Sequence, residues 1–220
     1  MDKTKYCLVE GKDDFHSFIH LMGAHTPWNN PPPVKLKSFD GFEKLTTDYL
    51  SVEFKAPNVQ AIGVVVDADE QCKSRWDSVR SLIEPLFQPT PQVLPKDLPK
   101  DGLVVTHPNG VRIGVWIMPD NDSKGMLETF LSYLVPPAHQ ALWGFAATTC
   151  DQAKSKLQAP FKDVHTDKAK IHTFLAWTDP PGDTLGHNLA ARVLDPTSPA
   201  AQSFVQWFMK LYDLPPLGQP

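Results

Sequence analysis

The chain of 220 residues has 41% hydrophobic and 21% charged side chains, which is ordinary for a globular protein of one domain, or of one domain with an extension. Its formal net charge of −4 argues against a broad nucleic-acid-binding face. The charge does not exclude a nuclease, because acids clustered at one site make the net charge more negative and bound cations would offset them there. The sequence has no run of about 18 apolar residues for a membrane span, and its first residues enter a strand pattern with no room for a signal peptide, so a cytoplasmic location is expected.

Two strand–helix pairs are predicted at the start of the chain. Residues 5–10 form a short apolar run typical of a buried strand, and Asp13 or Asp14 can cap the amphipathic helix that follows. Three consecutive prolines then interrupt regular structure. Residues 34–39 alternate as a half-buried strand, and residues 42–54 suit a second helix.

The next strand has no polar face. Residues 59–71 contain the apolar core IGVVV, and a strand of this kind is normally covered on both sides, as in a parallel α/β sheet. A helix is predicted over residues 72–87 and a proline-rich surface loop over residues 88–100. Apolar strands at 103–107 and 111–119 are joined by Pro-Asn-Gly, which predicts an antiparallel hairpin.

Beyond Gly125 the sequence predicts a mainly helical region. Helices are expected at 125–135, 138–157, 167–177 and 198–212. A turn-rich loop is expected at residues 177–188, and a disordered tail at residues 215–220. The alternation of strands and helices before this region predicts an α/β fold with an open sheet, mostly parallel, that carries an antiparallel edge hairpin and is flanked by helices.

Two of the predicted strands end in acidic residues. Glu10 follows the first strand, and Asp67 and Asp69 follow the third. Ligands of open α/β sheets gather at the carboxyl ends of parallel strands, so the three carboxylates are expected to meet at one edge, where Mg²⁺ would relieve their repulsion. An Asp-x-Asp alone commonly caps a turn, so this prediction depends on its pairing with Glu10.

The motif VEGKDD at residues 9–14, followed by a downstream apolar strand that ends in DAD at residues 67–69, resembles the Toprim domain. That domain occurs in topoisomerases, bacterial primases, ribosomal-RNA-maturing nucleases and the OLD-family nucleases. The resemblance implies a Toprim or Rossmann-like fold, an acid–base or metal-binding role for Glu10, and Mg²⁺ binding by Asp67 and Asp69.

A second acidic block, IMPDNDSKGMLETFL, spans residues 117–131. OLD-like nucleases have an acid in a comparable Leu-Glu setting that helps to hold a second metal. The resemblance assigns this role to Glu128, with Asp120 and Asp122 as alternatives. The competing interpretation of Glu128 is an acid in the first turn of a helix, where the helix dipole favours it.

The same resemblance implies two further site residues. OLD-like members often hold an additional acid shortly after the first glutamate, a place that Asp14, or its neighbour Asp13, fills. They also use a lysine near the metal ions to stabilise the charge of the transition state, and Lys170, with Lys168 beside it, is the candidate. The alternative for both lysines is a solvated helix end.

The remaining metal-ligating side chains predict no site. His16 and His20 are four residues apart and share a helix face, but no third ligand is evident from the sequence. Cys7, Cys72 and Cys150 are isolated, so neither a disulfide framework nor a zinc site is expected.

The whole layout is most similar to a small group of stand-alone bacterial Toprim-like proteins related to the OLD-family nucleases. It implies a Toprim-like domain over residues 1–135, a helical extension packed on it over residues 136–214, and the tail over residues 215–220. OLD nucleases carry an ATPase domain that is absent from these 220 residues, so the resemblance implies a partner ATPase or defence-protein chain. A homo-oligomer is a further expectation.

Together these features predict a nuclease that depends on one or two Mg²⁺ or Mn²⁺ ions and acts on DNA or RNA. Catalytic roles fall to Glu10, Asp67, Asp69 and Lys170. A role in phage defence fits the resemblance. Two alternatives stay open: a non-catalytic module that binds a metal, a nucleotide or a partner, and phosphotransfer on a small nucleotide.

Overall fold

A computed structural model describes residues 4–90 and 92–218 of the chain. These residues form, in order, β1 (Thr4–Val9), α1 (Lys12–Gly23), β2 (Lys35–Ser38), α2 (Thr47–Phe54), β3 (Val59–Asp67), α3 (Cys72–Ile83), β4 (Leu103–Thr106), β5 (Arg112–Met118), α4 (Leu127–Ser132), α5 (Gln140–Leu157), α6 (Thr166–Leu175), α7 (Leu185–Ala190) and α8 (Gln202–Tyr212). Short 3₁₀ helices lie at Phe42–Lys44, Glu84–Phe87, Pro137–His139, Asp163–His165 and Pro199–Ala201. In this described part of the chain, no helix is long and apolar enough to cross a membrane. Parts of three predicted segments lie outside the described residues: the start of the first domain, residue 91 of the proline-rich loop, and residues 219–220 of the tail.

The strands form one open sheet in the order β2-β1-β3-β5-β4. Strands β2, β1, β3 and β5 run parallel, and β4 pairs with β5 in the antiparallel direction. The predicted α/β fold, with its mostly parallel sheet and antiparallel edge hairpin, is therefore confirmed. From β1 the chain first adds β2 on one side and then β3 on the other, so a topological switch point lies between the carboxyl ends of β1 and β3.

The central strand β3 is covered on both faces. Ala61 and Val65 pack into a core shared with α1, α4 and α8, whereas Val64 and Val66 pack into a second core shared with α2 and α3. Successive side chains of a strand point to opposite faces, so a strand buried on both sides must be apolar at every position. This double burial explains the IGVVV run.

Helix α8 lies directly against the sheet because two glycines leave room for it. Gly63 of β3 and Gly114 of β5 are paired in register. A Cβ atom at Gly114 would lie 2.5 Å from Cδ2 of Leu211, and one at Gly63 would collide with the hydroxyl of Tyr212. That buried hydroxyl donates a hydrogen bond to the carbonyl of Tyr6 at 2.7 Å. The same hydrophobic core therefore contains the sheet and the helix, and it crosses the predicted boundary between the two parts of the chain.

The structure differs from the sequence prediction at residues 177–188, which were expected to be a loop. Helix α7 begins inside this segment, and the hydroxyl of Thr184 caps it by accepting a hydrogen bond from the backbone N–H of His187 at 3.2 Å. A helix of six residues is too short to display helical periodicity in the sequence, and its stability comes from packing against α1.

The segment after α8 also differs from the prediction of a disordered tail. The hydroxyl of Thr26 donates to the carbonyl of Pro215 at 2.7 Å, and the backbone N–H of Leu217 donates to the carbonyl of His25 at 2.8 Å. These two hydrogen bonds attach residues 215–218 to the end of α1, with which the sequence pattern alone does not associate them.

Candidate functional site

Acidic side chains from several elements surround one cavity at the switch point of the sheet. The cavity has a volume of about 310 Å³. Six carboxylic acids and two lysines are part of its lining: Glu10, Asp13, Asp14, Asp67, Asp69, Glu128, Lys12 and Lys168. The structure thus brings all five residues that were predicted to bind metal to the same place, because β1 and β3 are adjacent and parallel and end at the same edge.

Glu10 and Asp67 are in direct contact across the ends of their strands. The Oε2 atom of Glu10 accepts a hydrogen bond from the backbone N–H of Asp67 at 3.2 Å. Burial raises the pKa of Glu10, and that N–H opposes the rise. Asp67 lies two residues after Val65 and therefore faces α1 and α4, where its Oδ1 accepts a hydrogen bond from the backbone N–H of Leu127 at 2.9 Å.

Asp14 joins these two carboxylates from the first turn of α1. Its Oδ2 accepts a hydrogen bond from the backbone N–H of Gly11 at 2.9 Å, as a capping acid does. Burial raises the pKa of Asp14 to about 7, and repulsion from Glu128 and Glu10 adds to the rise. Burial, followed by repulsion from Asp14 and the other carboxylates, also raises the pKa of Asp67 well above its usual range. Such a cluster favours a bound proton or a bound cation.

Asp69 is held at the cavity rim in an uncommon backbone conformation. Its φ of +52° lies in the left-handed region, which Asp tolerates better than most residues. Two backbone hydrogen bonds of 2.9 Å to Gly125 fix the turn, and the carboxylate forms an ion pair with Arg75. The guanidinium of Arg75 lies 3.9 Å from the centre of the Phe42 ring, which orients it.

Glu128 enters the cavity from α4 and is almost completely buried, with 3% of its surface exposed. Its Oε1 lies 2.9 Å from Nζ of Lys168, which projects from α6 and is also 4.0 Å from Asp13. Burial opposes the charge of Lys168, but the hydrogen bond and the charge of Glu128 outweigh it and raise the pKa of the lysine. A buried carboxylate thus has a cationic partner, which lowers the cost of its charge.

The donor set of the cavity suits a hard divalent cation, because it consists of carboxylate oxygens. Among residues 4–90 and 92–218, no three His, Cys, Asp or Glu side chains are already arranged to hold a metal ion. Asp69 and Glu128 are instead engaged by Arg75 and Lys168. For these two carboxylates to bind a cation through the oxygens that are now paired, Oδ2 of Asp69 and Oε1 of Glu128, the ion pairs must open.

The prediction for the two lysines of α6 needs correction. Lys170, which was expected at the site, points away from it and pairs with Asp151 of α5 at 2.9 Å. Lys168 lines the cavity instead. Side chains at positions i and i+2 of an α-helix lie about 200° apart around its axis. Only one of the two lysines can therefore face the carboxylates.

Asp120 and Asp122 do not line the cavity. Asp120 accepts hydrogen bonds from the backbone N–H groups of Asp122 and Ser123 at 3.1 and 2.7 Å, and so it closes the turn after β5. Asp122 pairs with Lys100 at the surface, at 3.2 Å. Of the alternatives in the second acidic block, the structure therefore places only Glu128 at the cavity.

Arg75 and His165 are close to the site, and sequence reasoning did not select them. Arg75 lies six residues after Asp69, in the first turn of α3, where a cation can reach back to the turn that precedes the helix. His165 lines the cavity from the 3₁₀ helix before α6. For His165 the sequence offers no signal, because its position depends on how α6 packs against α4.

A protein-family model matches most of the chain. The model of the family described as "Protein of unknown function (DUF3226)" matches residues 4–213. No curated protein and no solved structure matches the chain. The match extends over the sheet, the acidic cavity and α8.

Proposed function

The chain belongs to the DUF3226 family, and from the geometry of its acidic cavity we propose that it is a Mg²⁺-dependent phosphodiester hydrolase that acts on DNA or RNA. The observation that carries this proposal is the convergence of five carboxylic acids, all of them buried or partly buried, on one cavity at the switch point of the sheet: Glu10, Asp14, Asp67, Asp69 and Glu128. We also propose that this family is related to the Toprim domain, since the acids lie at the strand ends that the resemblance implies.

The electrostatics of the cavity support a divalent cation. Burial, with repulsion between neighbouring carboxylates in addition, raises the pKa of Asp14 and of Asp67, so charging either carboxyl is a cost to the folded state that a bound cation would reduce. Asp67, Glu10 and Asp14 would hold one ion, and Asp69 and Glu128 would contribute to a second once Arg75 and Lys168 release them. When bound, such an ion supplies charge neutralisation at a phosphoryl group and lowers the pKa of a coordinated water.

The protein's own groups supply the remaining functions. Burial raises the pKa of Glu10, which makes it a stronger base, so where Glu10 does not bind the ion it is the carboxylate that would accept a proton from a nucleophile. Lys168 already sits among carboxylates and carries a raised pKa, so it stays charged while it donates to a phosphate oxygen. Arg75, oriented by its ion pair with Asp69, offers a second cation at the opposite rim.

The charge around the cavity makes substrate binding dependent on cations. A neighbouring cavity of about 260 Å³ shares Asp69 with the first and adds Glu70, Asp163 and Asp167, with Lys124 as its basic residue. A polyanionic strand would be repelled by this surface unless metal ions, or a basic surface of a partner chain, bridged the two. We therefore propose that a partner, such as an ATPase or defence protein, or a second copy of the chain contributes to substrate binding in the cytoplasm.

The second candidate function is a module that binds a metal or nucleotide without cleavage. This function is favoured by the ion pairs of Asp69 with Arg75 and of Glu128 with Lys168. A site in which these pairs stay closed can bind a ligand without cleaving it. The third, phosphotransfer on a small nucleotide, predicts phosphate release without polymer breakdown. Both predict that purified protein leaves nucleic acid intact.

The test is cleavage of plasmid, single-stranded DNA and RNA in Mg²⁺ and in Mn²⁺. Cleavage by the wild type should fall in Asp67→Asn and Glu10→Gln by more than the roughly 10–100-fold loss that is typical of an outer-shell partner. The matched control is Asp122→Asn, an exposed carboxylate outside the cavity, which should cleave as the wild type does. Metal-dependent thermal stabilisation without cleavage would favour the binding module.

A further inference from the structure

Three histidines meet on the surface where α7 crosses α1, away from the carboxylates of the acidic cavity. His16 and His20 lie four residues apart on the same side of α1, and His187 lies on α7. The helices approach closely because α7 has a glycine at the crossing. A Cβ atom at Gly186 would lie 3.0 Å from the carbonyl oxygen of His16 and 3.1 Å from Cδ2 of His20.

Two of the imidazole rings are close together, and the side chains of His16 and His187 are exposed. The ring centres of His20 and His187 are 6.2 Å apart. The side chain of His187 is 66% exposed, so it can change its rotamer without disturbing the core. His187 and His16 are the two titratable side chains that act electrostatically on His20.

Asp183 orients His187 in the way that metal-ligating histidines are usually oriented. The Nδ1 atom of His187 lies 3.1 Å from Oδ1 of Asp183. A carboxylate on one ring nitrogen places the proton there, and it leaves the lone pair of Nε2 directed away from the carboxylate. This hydrogen bond is a second observation, independent of the clustering, that points to a cation.

We propose that His16, His20 and His187 form a binding site for a borderline transition-metal cation such as Zn²⁺, with Asp183 as the residue that positions His187. Three imidazoles with no carboxylate in the first shell select Zn²⁺, Co²⁺, Ni²⁺ or Cu²⁺ over Mg²⁺. The site is therefore chemically different from the acidic cavity, and it does not depend on the function proposed for that cavity.

The rings need a small movement to share one ion. With Zn–N bonds of about 2.0–2.1 Å and tetrahedral angles, two imidazole centres lie about 5 Å apart. The observed separation of 6.2 Å exceeds this by about 1 Å. In keeping with this, no three metal-ligating side chains within residues 4–90 and 92–218 already converge. The proposal requires that rotation of the two exposed side chains, His16 and His187, close the gap without movement of the backbones.

A bound cation would join α7 to α1 in addition to the existing packing. Helix α7 has only six residues and lies in the segment that connects α6 to α8. A site with ligands on both helices stabilises only the conformation in which they touch, because the unfolded chain does not hold the ligands together. The stabilisation should therefore appear as a metal-dependent rise in the midpoint of thermal unfolding.

The experiment is a titration of the full chain with Co²⁺, whose visible absorption reports imidazole coordination, in excess Mg²⁺ so that the acidic cavity holds the hard cation. Zn²⁺ then competes for the same site. We expect one Co²⁺ per chain in the wild type. The affinity for Co²⁺ should be at least about tenfold lower in His16→Ala and in His187→Ala. Asp183→Asn should lose less affinity than these two variants, because it removes a residue that orients a ligand, and such residues typically contribute roughly 10–100-fold. His172→Ala, which removes an exposed histidine of α6, is the matched control and should bind as the wild type does.

Two outcomes would overturn the proposal. One is an unchanged Co²⁺ affinity in both His16→Ala and His187→Ala, each of which should fold because the substituted side chain is exposed. The other is a loss of Co²⁺ binding in Asp67→Asn while the histidine variants bind Co²⁺ as the wild type does, which would locate the cation in the acidic cavity. Neither outcome bears on nucleic acid cleavage, so the two proposals fail separately.

Discussion

Replacing Asp14 with asparagine should stabilise the protein at alkaline pH in the absence of metal. Asp14 is 6% exposed, and burial with nearby carboxylates raises its pKa from 3.8 to about 7. A rise of this size corresponds to about 4 kcal/mol, at 1.36 kcal/mol per pKa unit, of cost to the folded state when the carboxyl is charged. Asparagine keeps an oxygen that accepts the hydrogen bond from the N–H of Gly11. Burying its amide, however, costs about 1–3 kcal/mol, so the free energy of unfolding at alkaline pH should rise by about 1–3 kcal/mol in the variant.

The sign of the effect follows from the two pKa values. The folded-state pKa is above the unfolded-state value of 3.8, so the cost is absent below about pH 4, grows as the pH rises towards 7, and is constant above it. The gain in Asp14→Asn should follow the same course. Each kcal/mol raises the unfolding midpoint by about 2–4 °C in a chain of this size, so the variant should unfold about 2–12 °C higher at pH 8.

The assay is thermal unfolding in a chelator between pH 4 and pH 8. At pH 4 the charge cost is absent and only the cost of the buried amide is left, so the variant should be less stable than the wild type by about 1–3 kcal/mol, and the order should reverse by pH 8. At pH 8 the wild type should regain stability when Mg²⁺ replaces the chelator, with a smaller gain in the variant. The matched control is Asp77→Asn, an exposed carboxylate of α3 in a surface ion pair, whose effect on stability should be small at both pH values. A stability difference between Asp14→Asn and the wild type that is the same at both pH values would refute the account of the acidic cavity.

Three further predictions concern other parts of the chain. Lys168→Ala should destabilise the protein by about 1–2 kcal/mol in urea denaturation, which is less than for a fully buried ion pair because the lysine side chain is 44% exposed. The same substitution should slow any cleavage, whereas Lys170→Ala should leave cleavage unchanged. Gly114→Ala should cost about 1–3 kcal/mol in the same assay, because the added methyl group meets Leu211 of α8; a neutral result would mean that α8 shifts without penalty. Gly186→Val should weaken Co²⁺ binding without removing any imidazole, because the side chain forces α7 away from the backbone of His16, and an unaltered titration would contradict the proposed contact.

The sheet was predictable because its signals are local. The apolar run at residues 59–67 marks a strand buried on both faces, and Asn109-Gly110 marks the hairpin between β4 and β5. Two acid-ended strands in a parallel sheet must also bring Glu10 near Asp67, whatever the helices do.

What the sequence did not reveal depends on how helices pack. Choosing Lys168 over Lys170 requires knowing which side of α6 faces α4, and α6 has too weak an apolar stripe to show it. Helix α7 was missed because a segment of six residues gains its stability from α1, which is more than 160 positions earlier in the chain. His187 is far from His16 and His20 for the same reason, so the third imidazole became visible only once the helices were seen to cross.

The glycine pair that admits α8 has a consequence for biosynthesis. The sheet and the carboxylates at its edge are encoded in the first 130 residues or so, yet the hydrophobic surface of β3 and β5 is covered by residues 202–212. While the ribosome is still making the segment between them, that surface has no partner and is exposed to chaperones and to other nascent chains. The nascent chain therefore cannot complete its core until α8 has emerged from the exit tunnel.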